Sequence, residues 1–130
     1  MTDIRWKQRF QNYEKALQQL TEFMEVGQLN KFERQGLILC FEYTFELGWK
    51  TMKDYLSYQG LEVTTPRETI QKAFQNKVIE HGHEWIDALE KRNLMAHTYI
   101  EENAEKAEYL IRNTYYELLV SLKNTLDVSR

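Results

Sequence analysis

Apolar residues recur every three or four positions in three long segments of the chain, a spacing that predicts three long amphipathic helices. The first segment covers about 4–24, and its apolar stripe consists of Phe10, Tyr13, Leu17, Leu20 and Met24. The second covers about 31–58, with Leu37, Phe41, Phe45, Trp49, Met52 and Leu56. The last covers about 102–126, with Ala104, Ala107, Ile111, Tyr115, Leu118, Leu122 and Leu126. Gly27, Asn30 and Gly60 lie where the first two patterns stop, and they predict breaks there.

Two shorter helices are predicted between the second and the last. Thr65 can cap a helix that starts at Pro66, and Glu68 would complete a capping box. This helix covers about 66–76, and the apolar residues expected to face inward are Ile70, Ala73 and Phe74. The next covers about 83–96, with an apolar face at Trp85, Ile86 and Leu89. Residues 61–64 are the only strand candidate, and a single short strand has nothing to pair with.

These patterns together predict an all-α fold, an antiparallel up-and-down helical bundle that residues 1–130 form as a single domain. A chain of 130 residues can bury a core without metal or disulfide bonds. Two glycines, Gly36 and Gly48, lie inside the second helix, where each costs up to about 1 kcal/mol relative to alanine. Close approach of another helix would explain both glycines.

Composition restricts the classes of function. The formal net charge of −3 argues against a general nucleic-acid binder, although it allows a local cationic site. The chain has no apolar run of the roughly 20 residues that span a bilayer, and its first residues do not resemble a secretory signal. We therefore expect a cytoplasmic protein with no membrane contact. The only cysteine, Cys40, has apolar neighbours and is expected to be buried rather than reactive.

The residues best suited to catalysis lie near the end of the fourth predicted helix. If this helix persists to His97, Asn93 and His97 lie one turn apart on the same face, and the long side chain of Arg92 can swing toward the histidine. An imidazole can take a proton from a ribose 2′-hydroxyl, and a guanidinium can clamp a phosphate. These residue types suit metal-independent cleavage of a phosphodiester, with no cofactor. The alternative is that Lys91, Arg92 and His97 only oppose the helix dipole and cap the helix end.

Other candidates are weaker. Glu42 and Glu46 lie one turn apart on the second helix and could orient Arg92, or one could face solvent while the other caps a helix. His81 and His83 flank a glycine without an evident third metal ligand, so we expect no metal site there. Three further basic residues are expected to form a solvated face rather than a nucleic-acid track, given the acidic net charge: Lys50, Lys53 and Arg67.

The sequence resembles a known family in several segments that follow one another in the expected order. Residues 41–50 read Phe-Glu-Tyr-Thr-Phe-Glu-Leu-Gly-Trp-Lys, and residues 65–68 read Thr-Pro-Arg-Glu. Trp85 follows, and then the pattern Arg92-Asn93…His97-Thr98-Tyr99. Taken together, these segments resemble the HEPN proteins called nucleotidyltransferase substrate-binding proteins, which are companions of minimal nucleotidyltransferases.

The resemblance implies a bundle of four long helices plus a short one that forms a homodimer. Arg92 and His97 would line a cleft at the dimer interface and cut RNA without metal. In toxin–antitoxin pairs of this type, the nucleotidyltransferase silences the HEPN toxin by transferring AMP to the motif tyrosine, here Tyr99. An older view has the family merely presenting substrate to the nucleotidyltransferase. The aromatic content of 13% independently favours a partner surface, because a bundle of this size need not bury so many rings internally.

Overall fold

The computed structural model describes residues 2–92 and 94–130, and within these ranges it contains helices and no strand. The helices are α1 (Thr2–Met24), α2 (Lys31–Tyr58), α3 (Pro66–Gln75), α4 (Gly82–Lys91), α5 (Glu101–Leu110) and α6 (Tyr116–Ser129). A short 3-10 helix spans Leu94–His97, and a π-helical turn, Ile111–Tyr115, joins α5 to α6 as one long helix. The all-α class predicted from the apolar periodicity is therefore confirmed.

Helices α1 and α2 pack antiparallel along their full lengths. The Trp6 and Tyr55 rings lie 4.9 Å apart at one end, and Phe23 faces Gly36 at the other. Between these ends, a side chain at Gly48 would place its Cβ 3.1 Å from the Tyr13 ring. Both helical glycines thus lie where a neighbouring ring comes close, as expected. Cys40 is buried in the same interface, and this burial raises the pKa of its thiol.

The last helix runs parallel to α2 and antiparallel to α1. Four contacts with α2 follow one another in steps of seven residues: Arg34 with Glu108, Phe41 with Tyr115, Gly48 with Leu122 and Tyr55 with Ser129. Against α1, the Tyr13 hydroxyl donates to the Leu119 carbonyl at 2.6 Å. Neighbouring long helices of an up-and-down bundle alternate in direction, so its second and last long helices share a direction, as α2 and the last helix do here.

Three local expectations need correction. Phe74 is 50% exposed rather than inward-facing, because its ring covers Gly82 at the start of α4. Thr65 caps α3 as predicted, because its hydroxyl accepts the N–H of Glu68. The predicted capping box would also need the Glu68 carboxylate to accept the N–H of Thr65, but this carboxylate accepts the N–H of Thr64 at 2.8 Å instead. Helix α4 ends at Lys91 and does not continue to residue 96. Among the helices described, none combines the length and hydropathy needed to cross a membrane.

Candidate functional site around Arg92 and His97

Residues 92 and 94–100, hereafter the return segment, lead the chain from the end of α4 back along α2. Arg92 contacts Glu46 in the middle of α2, whereas Thr98 contacts Gln35 near its beginning. Eleven residues of α helix separate these two anchor points, which corresponds to about 16 Å. The chain reverses direction only after Thr98, before α5 starts at Glu101. We attribute the end of α4 at Lys91 to the contacts that hold the return segment against α2. Asn93 lies outside the described residues, so its predicted position beside His97 remains a prediction.

Thr98 and Gln35 fasten the return segment to α2. The Gln35 amide donates to the Thr98 carbonyl at 2.6 Å, and the Thr98 hydroxyl lies 3.2 Å from both the Gln35 amide oxygen and the Met95 carbonyl. Met95 and Thr98 are both buried. These positioning residues were not identified from the sequence, because Gln35 and Thr98 are 63 positions apart and no local pattern connects them.

Arg92 is held by the carboxylate of Glu46, one of the two residues predicted to orient it. Arg92 Nη1 lies 3.2 Å from Glu46 Oε2, which also accepts the Trp49 indole N–H at 3.1 Å. The other Glu46 oxygen lies 3.5 Å from Lys50 Nζ. Because the Arg92 and Glu46 side chains are 37% and 40% exposed, this pair contributes at most about 1 kcal/mol to stability. Its main effect is to fix where the guanidinium points.

An open groove of about 390 Å³ lies beside this ion pair. We call it the motif groove, and its lining residues are Leu39, Glu42, Tyr43, Glu46, Arg92 and Ala96. Leu39 is 61% exposed, and Tyr43 is also exposed. Glu42 is half-buried, and this burial raises the pKa of its carboxyl group. The structure thus brings Arg92 together with both predicted supporting carboxylates in one largely apolar depression.

His97 and Tyr99 lie on the adjoining surface and do not line the motif groove. Both side chains are exposed, and their ring centroids are 6.0 Å apart with an edge-on orientation. The His97 carbonyl accepts the Asn103 side-chain amide at 3.2 Å, which ties the 3-10 turn to α5. Within the described part of the chain, no hydrogen bond joins Arg92 to His97. Arg92 lines the motif groove and His97 does not, so the chain presents the guanidinium and the imidazole on neighbouring surfaces.

The remaining candidates separate into two other places. His81 and His83 line a depression of about 530 Å³ between α3 and α4, and the described residues contain no group of three or more potential metal-binding side chains. Arg67 forms an exposed ion pair with Glu90 at 2.9 Å. Lys50 and Lys53, by contrast, line a separate cleft of about 320 Å³ between α1 and α2.

Comparison with known proteins agrees with this architecture. Residues 8–128 match the family model described as "Nucleotidyltransferase substrate binding protein like". A crystal structure of a protein from Thermus thermophilus superimposes with a TM-score of 0.80 at 31% sequence identity, over 88% of this chain and 98% of that one. None of the curated proteins compared matches this chain. The family match covers nearly the whole chain, so the protein belongs to the nucleotidyltransferase substrate-binding-protein-like family, which has the HEPN-like helical fold.

Proposed function

We propose that this protein is the HEPN subunit of a two-component, toxin–antitoxin-like system, and that it cleaves RNA without a metal ion at a site formed by Arg92 and His97. The observation that carries this proposal is an arginine oriented by Glu46 on an open groove, beside an exposed histidine. The family description names a nucleotidyltransferase, and this supports such an enzyme as the partner protein.

The proposal includes a homodimer that covers the motif groove. Exposed apolar side chains lie on one stripe of α2 next to the groove: Phe32, Leu39 and Tyr43. Exposed apolar surface of this kind favours a protein contact over solvent. In the proposed dimer, the His97 of the second copy approaches the Arg92 of the first, since His97 does not line the motif groove of its own chain. The dimer would also double the basic groups available to a phosphate, despite the acidic net charge.

The proposed reaction uses the two side chains in different roles. His97 accepts the proton of a ribose 2′-hydroxyl while that oxygen attacks the adjacent phosphorus. The bond from phosphorus to the 5′-oxygen breaks, and the protonated His97 imidazole returns its proton to the leaving oxygen, directly or through water, so a 2′,3′-cyclic phosphate and a 5′-hydroxyl result. Arg92 exchanges its contact with Glu46 for the phosphate oxygens, where two-pronged hydrogen bonding stabilises the growing negative charge.

Tyr99 is the proposed point of control. Its side chain is 76% exposed, so its hydroxyl is accessible to a nucleotidyltransferase that carries ATP. The phenolic oxygen would attack the α-phosphorus, and pyrophosphate would leave as the phenolic proton is lost. An AMP group attached two residues from His97 would fill the surface next to the site and repel an incoming phosphate.

A second candidate function is a non-catalytic subunit that presents substrate to the nucleotidyltransferase. The contact between Arg92 and Glu46 favours it, since the arginine is already neutralised by a carboxylate. The family description also speaks of substrate binding. In this case the motif groove would hold a ligand without changing it.

RNA cleavage in the presence of EDTA distinguishes the two functions. The wild-type protein should cut a mixed RNA pool, and H97A should lose cleavage while keeping its helical circular dichroism spectrum. H83A is the matched control, because His83 is equally exposed but lies outside the motif. Intact RNA with the wild-type protein over a wide pH range would refute the catalytic function and leave substrate presentation.

Transfer of AMP is tested with the partner nucleotidyltransferase and ATP, followed by mass spectrometry of the intact chain. One AMP should be added to the wild-type protein and none to Y99F. Y109F is the matched control, because Tyr109 is also exposed, at 66%, but is remote in sequence from the motif. Modification that persists in Y99F would place the acceptor elsewhere and end this part of the proposal.

A further inference from the structure

A second concave surface lies between the amino-terminal part of α1 and the second half of α2. We call it the basic cleft, and it is lined by four cations, Arg5, Arg9, Lys50 and Lys53, and by two carboxylates, Asp54 and Glu62. The lining cations outnumber the lining carboxylates by two, and by one when Glu46, which contacts Lys50 from outside the lining, is included, in a chain whose formal net charge is −3. Positive charge is concentrated here by the fold, because α1 and α2 contribute two cations each.

Two of the four cations have no carboxylate partner within the described residues. Arg9 Nε lies 2.9 Å from Asp54 Oδ2, and Lys50 lies 3.5 Å from Glu46. The second lining carboxylate, Glu62, accepts a hydrogen bond from the Ser57 hydroxyl at 2.9 Å. Arg5 and Lys53 remain without an ion pair in the part of the chain that is described. A concave surface with two uncompensated cations is suited to an anion.

The basic cleft adjoins the motif groove along one stripe of α2. The stripe contains residues at three- and four-residue spacing: Glu42, Glu46, Lys50, Lys53 and Ser57. Glu46 joins the two depressions, since one of its carboxylate oxygens contacts Arg92 and the other contacts Lys50. Lys53 lies seven residues beyond Glu46, about 10 Å along the helix axis. A chain of phosphates with one member at Arg92 can therefore continue over Lys50 to Lys53 and Arg5.

We infer that the basic cleft binds the phosphate backbone of the RNA next to the bond that is cut, and so gives the site its preference for a longer strand. This inference rests on the proposed function, because it takes Arg92 as the position of the reacting phosphate. Two features favour RNA over a protein partner. The lining is mostly polar and charged, whereas the core of a protein interface is depleted in charged residues. The lysines of the cleft, Lys50 and Lys53, also lie on the same stripe of α2 as Glu46, which contacts Arg92.

Binding is tested with a fluorescent 12-nucleotide oligouridylate whose 2′-hydroxyls are methylated, because it cannot be cut and therefore reports binding alone. The double variant R5A/K53A should weaken binding about tenfold near 0.1 M salt. The slope of log affinity against log salt should fall by about 1.4, which corresponds to two lost phosphate contacts on a single strand. The matched control is K15A/K72A, which removes two exposed lysines outside the cleft and should change neither quantity. Circular dichroism verifies that both variants fold.

Cleavage of unmodified RNA separates this inference from the proposed function. If the wild-type protein leaves RNA intact, the proposed function fails, whatever the binding results are. If the wild-type protein binds the oligonucleotide and R5A/K53A binds it equally well, the cleft is not part of the RNA path. Absence of oligonucleotide binding by the wild-type protein would also overturn the inference. If R5A/K53A no longer forms a complex with the nucleotidyltransferase but still binds RNA as the wild-type protein does, the cleft belongs to the contact with that protein partner instead.

Discussion

Replacing Thr98 with valine tests whether one hydroxyl holds the return segment against α2. Valine keeps the β-branched shape of the buried side chain and removes only the hydroxyl, which lies 3.2 Å from both the Gln35 amide oxygen and the Met95 carbonyl. A hydroxyl has one proton, so these two contacts share one donor. A net hydrogen bond is worth about 0.5–1.5 kcal/mol, and leaving the half-buried Gln35 oxygen unpaired adds to the loss.

We therefore expect T98V to lower the free energy of unfolding by about 1–2 kcal/mol. With an unfolding entropy of about 2.1 cal/mol/K per residue, a chain of this length should lose about 4–7 °C in Tm. Urea unfolding followed by circular dichroism gives the free energy, and amide hydrogen exchange shows whether residues 96–100 open more readily. T51V is the matched control, because the buried Thr51 hydroxyl bonds only the Leu47 carbonyl of its own helix. Its removal should cost little.

A double-mutant cycle with Q35A completes the test. The Thr98 hydroxyl donates to the Gln35 side-chain oxygen, and each substitution removes one partner of this bond, so the two should be coupled by at least about 0.5 kcal/mol. If T98V is as stable as T51V, or if the T98V and Q35A effects simply add, the return segment is not held by this contact. The contacts with α2 would then not account for the end of α4 at Lys91.

Two further predictions concern the α1–α2 interface and the motif groove. G48A should lower the free energy of unfolding by about 1–2 kcal/mol, although alanine has the better helix propensity, because the new Cβ meets the Tyr13 ring, which the hydrogen bond of the Tyr13 hydroxyl to Leu119 holds in place. G36A, whose Cβ faces the half-buried Phe23 ring, should be nearly neutral. Urea unfolding measures both variants, and equal losses of stability would contradict this reasoning. E42Q should raise Tm at pH 7. Burial raises the pKa of Glu42 in the folded state, so ionisation of Glu42 destabilises the folded protein at any pH above the pKa that this group has in the unfolded chain. The gain should disappear as the pH falls below about 4, where Glu42 is protonated in both states; a gain that is constant with pH would refute this origin.

The parts of the fold that follow from local patterns were predictable from the sequence. Helix α2 has the predicted bounds because its apolar stripe is continuous and Asn30 caps it with the side chain accepting the Glu33 N–H. Pro66 and Thr65 likewise fix the start of α3. In the last helix, every residue of the predicted stripe is buried, even though a π-helical turn interrupts it. Periodicity and capping determine these elements without reference to the rest of the chain.

The parts that depend on distant contacts were not predictable. The end of α4 carries no glycine or proline that would predict where the helix stops. Contacts between the return segment and α2 determine that position. Phe74 continues an apolar pattern but covers a glycine of the next helix. At the site, residue types identified Arg92 and its carboxylate partner, whereas the separation of His97 from the motif groove required the structure. Lys50 and Lys53 were predicted to form a solvated face, and only the pairing of α1 with α2 places Arg5 and Arg9 beside them.

The seven-residue steps between α2 and the last helix restrict where the length of this protein can vary during evolution. One residue inserted into either helix would rotate everything beyond it by about 100° and disrupt the later contacts of the series. An insertion at 59–65 or 76–81 would leave these contacts in register and would also keep the spacing of Arg92, His97 and Tyr99. We therefore expect natural relatives to differ in length at these two connections, and to keep the distance between the Arg34 and Tyr55 positions constant.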